Sequence, residues 1–319
     1  MKRLFLMLSV ALAAVACDYF GASKAIPLSE APERLGWPKY MGALYGDVES
    51  VTEEVRYYNE MPIGDTEVKP STAEVYKFND RGDLVEKRNE DFVDNRSWRV
   101  IYSYNADGRM ELKECFVGDE LSWSSRYKYD AAGRVVEELS NNTHDYDTKY
   151  LYAYDEYDNK TETKFYIEGE FINRSTKKYD EAGREIESAF YDKNDSLIEQ
   201  RFLAYNGNGD LIEELVLRDP STTYTYRHSY ERDRRGNVVK IVHYNEKDEV
   251  TSYATNNYDD EGNSLEHISY KSDNSIDCRF TSRYDAHGNL IESAYYQGRN
   301  DNPRYVKSYT IVYRTEAAE

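Results

Sequence analysis

Apolar and polar residues alternate along most of this chain, and short turn signatures interrupt the alternation at regular intervals. In the stretch 127–137, Tyr127 and Tyr129 alternate with polar residues, and an Asp-x-x-Gly tetrad follows. A period of two is that of a β-strand, in which successive side chains point to opposite faces of a sheet. The pattern therefore predicts strands separated by tight turns.

The turn signature is Asn or Asp followed three residues later by Gly, and it occurs nine times at intervals of 25 to 27 residues, with Asp158 in place of Gly in the fourth unit. The residues at the glycine position of the nine units are Gly82, Gly108, Gly133, Asp158, Gly183, Gly209, Gly236, Gly262 and Gly288. The Asn or Asp side chain caps a type I turn, and the Gly takes a positive φ that forms a bulge. Asp158 is of a residue type that tolerates this φ.

A second, looser turn in each unit reverses the chain again, so that a reversal occurs every 12 to 14 residues. A fixed period of this length indicates a repeat architecture. The predicted fold class is all-β, an antiparallel β-meander of about nine 26-residue hairpin repeats that is strongly curved or rolled, since large open sheets curl, split or close. A flat single-layer sheet is the alternative.

The repeats fill most of the 319 residues, which predicts one repeat domain over 41–319. Its parts are an atypical cap over 41–73, with a strand pair near 44–48 and 51–58, regular repeats over 74–303 and a closing strand over 304–314. Atypical terminal repeats are common because they cap an open end.

The N-terminus has the features of a secretory signal. Lys2 and Arg3 precede an apolar run, and small residues lead to Cys17, which predicts a signal peptide over 1–16. The stretch 14–17 resembles the lipobox of bacterial lipoproteins, which implies lipidation of Cys17 and a lipidated tether over 17–40. An ordinary signal peptide with an incidental cysteine is the alternative.

The net charge of the chain limits the kinds of partner that it can bind. The chain carries −19, and without residues 1–16 it would hold 39 basic and 60 acidic residues, a net −21. Such a surface repels phosphate backbones, so no nucleic-acid partner is expected. Attachment to a membrane is expected through the N-terminal lipid alone, which predicts a bacterial cell-envelope location, on the outer membrane and facing either the periplasm or the surface.

The hairpin turns also predict which side chains share a face. The residue before the Asn or Asp should pair with the residue two after the Gly, which places the tyrosines before the turns on one face. Continued alternation adds two further sets to that face: Glu86, Glu137, Glu162, Glu187, Glu213, Glu266 and Glu292, then Tyr166, Tyr191, Tyr244, Tyr270 and Tyr296. The tyrosine face is expected to point inward.

Units such as 127–134, 178–184 and 283–290 resemble the YD repeats of RHS-type proteins, and the longer unit resembles repeat-bearing secreted bacterial lipoproteins. The similarity covers residues 74–314. In RHS-type toxins these repeats form a shell around a C-terminal toxin. Because Glu319 follows the last predicted strand by five residues, no toxin is expected here.

Motifs for catalysis, phosphate binding or metal binding are lacking in the sequence, and the five histidines have no metal-ligand spacing. We therefore expect no enzyme activity, no catalytic residues, no metal and no cofactor. Cys115 and Cys278 are expected to be free buried thiols, because distant repeats do not touch unless the sheet closes.

One aromatic group stands out as a ligand-binding candidate. Trp98 and Trp123 each lie ten residues before a turn Gly and should lie about 9–10 Å apart on the face of Tyr102 and Tyr127. Such rings could stack on a glycan or contact a protein partner, or they could fill a core. The predicted function is a non-catalytic interaction surface; a structural spacer and a hydrolase with an atypical site are the alternatives.

Overall fold

The computed structural model of the chain describes residues 44–58, 69–143, 145–218 and 222–314. These residues form twenty strands, in chain order β1 Val48–Tyr57, β2 Thr72–Phe78, β3 Leu84–Asp91, β4 Arg96–Tyr104, β5 Met110–Val117, β6 Glu120–Tyr129, β7 Val135–Asn142, β8 Thr148–Tyr154, β9 Lys160–Ile167, β10 Glu170–Tyr179, β11 Glu185–Tyr191, β12 Leu197–Tyr205, β13 Leu211–Arg218, β14 Thr222–Arg232, β15 Val238–Tyr244, β16 Val250–Tyr258, β17 Ser264–Lys271, β18 Ile276–Tyr284, β19 Leu290–Gln297 and β20 Tyr305–Tyr313. The predicted signal peptide, the tether and Cys17 lie outside the described residues.

The twenty strands form one closed antiparallel meander. Each strand pairs with the next in the chain, and β20 also pairs with β1 from Tyr305 opposite Tyr57 to Tyr313 opposite Val48. The prediction of an all-β, strongly rolled meander is confirmed, and the flat alternative is wrong. Closure removes the two unpaired edges that an open sheet would expose.

The entry into the sheet differs from the sequence prediction. The predicted strand pair over 44–48 and 51–58 is wrong, because a single strand, β1, is found there. Residues 44–47 instead lie against the turn between β18 and β19. The amide of Asn289 holds the backbone of Tyr45 there, donating to its carbonyl at 2.9 Å and accepting from its N–H at 2.6 Å.

The nine signature turns form as predicted. In the first, the Oδ1 atom of Asn79 accepts from the backbone N–H groups of Arg81 and Asp83, and Gly82 has a φ of 83°. Phe78 pairs with Leu84 across the hairpin, and the equivalent pair forms at every later signature turn. Asp158 takes the predicted left-handed conformation, with a φ of 66°.

The face prediction is wrong beyond each turn, because a bulge follows the first pair. Tyr129 pairs with Val135, but Lys128 pairs with Glu137, so that Val136 is skipped. The bulge moves the whole predicted glutamate set, and the tyrosine set from Tyr166 to Tyr296, to the face opposite the tyrosines before the turns. On that opposite face, Glu137 forms an ion pair with Lys128 at 2.6 Å.

We call the side of the closed sheet that carries Tyr76 and its register equivalents the inner face, because burial is concentrated there. The tyrosines before the turns lie on this face, as predicted. Tyr76, Leu84 and Val51 are almost completely buried on this side and form a cluster with Val48. The opposite, outer face carries lysine–glutamate pairs in contact with solvent, such as Lys178 with Glu187 at 2.8 Å.

Hydroxyl groups of tyrosines near the turns link successive hairpins, a contact that phenylalanine could not make. A tyrosine of each of eight hairpins donates to the backbone carbonyl of the residue two after the preceding turn, at 2.5 to 3.0 Å. The donors are Tyr104, Tyr129, Tyr154, Tyr179, Tyr205, Tyr230, Tyr258 and Tyr284. This ladder satisfies carbonyl groups at the end of the sheet where the signature turns lie.

Successive hairpins are displaced along the strands. Tyr76 pairs with Lys87, and Lys87 pairs with Val100, whereas the residue equivalent to Tyr76 in the next repeat is Tyr102. A displacement of two residues per pair of strands corresponds to a strand tilt of about 35°. Equivalent positions of successive repeats therefore lie at one height around the closed sheet.

In three repeats, an arginine that follows the turn Gly lies over the ring of the tyrosine of the next hairpin. Arg134 pairs with Asp130 at 2.7 Å, and its guanidinium lies 4.9 Å from the ring centre of Tyr154. In two later repeats this position is Asn237 or Asn263, and the Oδ1 atom of each is buried without a hydrogen-bond partner. A buried acceptor without a partner costs stability.

We expect Asn237→Arg to raise the free energy of unfolding by about 0.5–1 kcal/mol, because the new side chain can pair with Asp233 and removes the unpaired oxygen. Asn289→Arg is the matched control at the equivalent position. It should destabilise the protein, because Asn289 holds the backbone of Tyr45. Urea unfolding of both variants tests this; destabilisation by Asn237→Arg would contradict the expectation.

Candidate functional site

At one inner-face position, aromatic residues predominate in one half of the closed sheet and non-aromatic residues in the other. This position lies six residues before the turn Gly or Asp158. Going round the sheet, its occupants are Tyr76, Tyr102, Tyr127, Tyr152, Lys177, Leu203, Tyr230, Asn256 and Ser282. We call the part formed by β2–β9 the aromatic sector, and the part formed by β10–β19 the polar sector.

A carboxylate lies at the centre of a polar cluster in the aromatic sector. Glu138 on β7 accepts hydrogen bonds from the hydroxyls of Tyr127 at 3.0 Å and Tyr152 at 3.1 Å. The amine of Lys113 lies 5.1 Å from the ring centre of Tyr127, and that of Lys160 lies 4.0 Å from the ring centre of Tyr152. The cluster thus spans five neighbouring strands.

Burial in the closed sheet shifts the pKa values of this cluster. Burial lowers the pKa of Lys113 and of Lys160, and the negative charge of Glu138 opposes both shifts. Burial raises the pKa of Tyr127 and of Tyr152, and the charge and hydrogen bonds of Glu138 add to the rise. Displaced pKa values in a concave surface are typical of functional sites, although structural networks show them too.

Lys87 occupies the position equivalent to Lys113 in the preceding repeat. Its amine lies 5.2 Å from the ring centre of Tyr76 and 5.3 Å from that of Trp98. It also forms an ion pair with Glu74 at 3.0 Å. Amines and aromatic rings therefore alternate around the aromatic sector, an arrangement stabilised by cation–π attraction.

The four aromatic residues predicted to bind a ligand all lie on the inner face of the aromatic sector. Trp98 pairs with Val117 on β5, whereas Trp123 pairs with Cys115, so the two indoles are offset by two residues along the strands. This offset places their Cα atoms about 12 Å apart rather than 9–10 Å. Tyr102 and Tyr127 lie on either side of Lys113.

The polar sector brings together three histidines that are distant in the sequence. The Nδ1 atoms of His228 and His243 are 2.8 Å apart on neighbouring strands. His267 forms hydrogen bonds with Asn256 at 2.7 Å and with Ser269 at 3.0 Å. Burial lowers the pKa of all three histidines, that of His243 to about 4.

Sequence reasoning missed Lys113 and Glu138, because it did not count the bulged residue after the turn. Lys160 pairs with Tyr154 before the bulge, and nothing in the sequence singled it out. Alternation from Val135 assigns Glu137 to the inner face, while the bulge places Glu138 there. The signal that identifies these residues is the position five after the turn Gly, which holds Lys87, Lys113 and Glu138 in the first three repeats.

Other features of the described residues bear on chemistry. Cys115 and Cys278 are buried and form no disulfide, as expected. Among the residues that the structure describes, no group of three or more His, Cys, Asp or Glu side chains could hold a metal ion. Within the same residues, no helix is long and apolar enough to cross a membrane.

No family model matches the chain, and no curated protein matches it. Similar solved structures include TcdB2-TccC3 without its hypervariable C-terminal region, with 15% identity and a TM-score of 0.37 over 81% of this chain and 16% of that one. A porin-like protein from Bacteroides uniformis has 9% identity and a TM-score of 0.34 over 83% of this chain and 98% of that one. The chain thus spans only a small part of the first of these proteins, and similarities at this level carry no argument about function.

Proposed function

We propose that this chain is a non-catalytic, lipid-anchored protein of the bacterial cell envelope that binds a glycan or protein ligand on the inner face of its closed sheet. The observation that supports binding is the exposure of inner-face rings. In the aromatic sector, the rings of Trp98 and Trp123 are half-buried. In the polar sector, Phe190, Tyr224 and Tyr226 on the inner face are 39%, 41% and 44% exposed. Away from the buried cluster around Tyr76, an inner face that solvent reaches is not a filled core, and its rings are available to a ligand.

The chemistry of the aromatic sector suits a polar ligand with apolar faces. Rings such as Trp98 and Trp123 can stack on the C–H faces of sugars or on side chains of a protein partner. The amines of Lys113 and Lys160 and the carboxylate of Glu138 can meet polar groups of the same ligand. Binding sites commonly combine aromatic walls with a few polar groups that fix orientation. The envelope location rests on the signal peptide and Cys17.

Replacing both tryptophans, Trp98→Leu with Trp123→Leu, should weaken ligand binding about tenfold or more, because large rings dominate binding energy. The matched control removes an aromatic pair from the outer face, Tyr253→Leu with Tyr270→Leu, whose rings stack at 4.5 Å. A glycan array and pull-down from intact cells, followed by calorimetry with each ligand found, measure the effect. Wild-type protein without any ligand in both screens would favour a structural spacer instead.

A further inference from the structure

Lys113 is a charged residue without an ion pair. Its side chain lies on the inner face of β5, opposite Tyr102 on β4 and Ser125 on β6. The ring centres of Tyr102 and Tyr127 are 6.0 Å and 5.1 Å from its amine. Within the part of the chain that the structure describes, this amine has no ion pair and no hydrogen bond. A largely buried ammonium group without an acidic partner is destabilising.

The preceding repeat shows what Lys113 lacks. Lys87 also lies near two rings, those of Tyr76 and Trp98, but it pairs with Glu74, eight residues before the turn Gly. In the repeat of Lys113 the equivalent position is Val100, which is 6% exposed and cannot offer a charge. The repeat therefore keeps the amine and replaces its carboxylate by an apolar side chain.

The nearest acidic residue on the inner face does not fill this role. Glu138 receives the hydroxyls of Tyr127 and Tyr152, one on each carboxylate oxygen, and it forms no ion pair with Lys113. The charge of Glu138 acts on Lys113 by electrostatic attraction without a direct contact. An anion placed on the inner face beside Lys113 would give Lys113 an ion pair like the one that Lys87 forms with Glu74.

We propose that Lys113 anchors a carboxylate of the ligand and that the ligand is an acidic glycan, whose sugar rings stack on the neighbouring indoles of Trp98 and Trp123. This inference rests on the proposed function. The two requirements of such a ligand, flat C–H faces and a fixed negative charge, match the two kinds of group that the aromatic sector brings together.

The substitution Lys113→Met distinguishes an effect on ligand affinity from an effect on stability, because it keeps the length of the side chain and removes the charge. We expect the melting temperature to stay constant or rise, since an unpaired charge leaves the sheet interior. Affinity for an acidic glycan should fall about tenfold or more, since a charge-assisted contact is lost. Lys87→Met is the matched control: it leaves Glu74 unpaired, so it should lower the melting temperature.

Calorimetry on the full chain with hexagalacturonate, cellohexaose and a sulfated hexasaccharide tests the inference. Wild-type protein should prefer hexagalacturonate, and Lys113→Met should lose that preference while binding cellohexaose unchanged. Equal wild-type affinity for hexagalacturonate and cellohexaose, preference for the sulfated sugar, or unchanged binding by Lys113→Met would each overturn the role of Lys113 but leave inner-face binding intact. If the wild-type protein binds none of the three sugars and no glycan on the array, the glycan form of the proposed function fails with it.

Discussion

Arg314→Ala is expected to lower the melting temperature by about 10 °C, because the Arg314 side chain forms hydrogen bonds across the place where the sheet closes. One guanidinium nitrogen donates to the backbone carbonyls of Phe78 at 2.6 Å and Asn79 at 2.9 Å. The other pairs with Asp47 at 2.7 Å and donates to the carbonyl of Val48 at 3.2 Å. Arg314 thus connects the end of β20 with the start of β1 and the first signature turn.

The loss in unfolding free energy should be about 3 kcal/mol, since several charge-assisted bonds disappear and carbonyl groups lose their donor. Arg235→Ala is the control. Its guanidinium also bonds a backbone carbonyl, that of Asp260, but it is 53% exposed and lies far from the closure. It should cost less than about 1 kcal/mol. Thermal unfolding followed by circular dichroism compares the two; equal losses would show that the β1–β20 ladder alone holds the closure.

Acidification from pH 6.5 to pH 4 is expected to remove about 3 kcal/mol of stability through His243. Burial, with the charges of His228 and His267, lowers the pKa of His243 to about 4 in the folded protein, whereas an unfolded histidine has a pKa near 6.5. Between these values the unfolded state binds more protons than the folded state, so stability falls as the pH falls. Burial lowers the pKa of His228 and His267 in the same direction.

A second acidic loss should begin below about pH 4, at the signature turns. Backbone N–H groups and a neighbouring arginine lower the pKa of Asp130 and of Asp180. Their stabilising effect is present above the unfolded pKa and is lost as the pH falls through the lower, folded pKa. The histidine and aspartate losses therefore occupy separate pH ranges.

Urea unfolding between pH 4 and pH 8 measures the histidine effect, and His243→Leu should flatten the dependence above about pH 4. His287→Gln is the control, since the side chain of His287 is exposed at a turn. The assignment to His243 is wrong if the slope of stability against pH is the same in His243→Leu and in the wild-type protein.

The turns and their hairpin pairs could be predicted because their chemistry is local. The Asn79 side chain reaches backbone groups two and four residues away, and this geometry sets the pairing of Phe78 with Leu84. The same local rule held at all nine turns, including the turn where Asp158 replaces glycine. The closing strand was predicted for the same reason, from alternation alone.

The inner residues of the candidate site could not be predicted by alternation. A bulge adds one residue after the first pair of each hairpin, and every later side chain on that strand changes face. The pattern of Val135, Glu137 and Glu138 is compatible with either face, and only the register with Lys128 decides between them. The prediction of Trp98, Trp123, Tyr102 and Tyr127 placed these residues on the correct face, because they precede the turns.

The sequence by itself determined the period, the signature turns and the hairpin registers next to them, because all of these depend on residues within one repeat. The tertiary structure decided that β20 meets β1, since closure depends on the tilt accumulated over the whole meander. It also decided that Lys87 has a carboxylate partner and Lys113 does not, because that difference depends on side chains contributed by neighbouring strands.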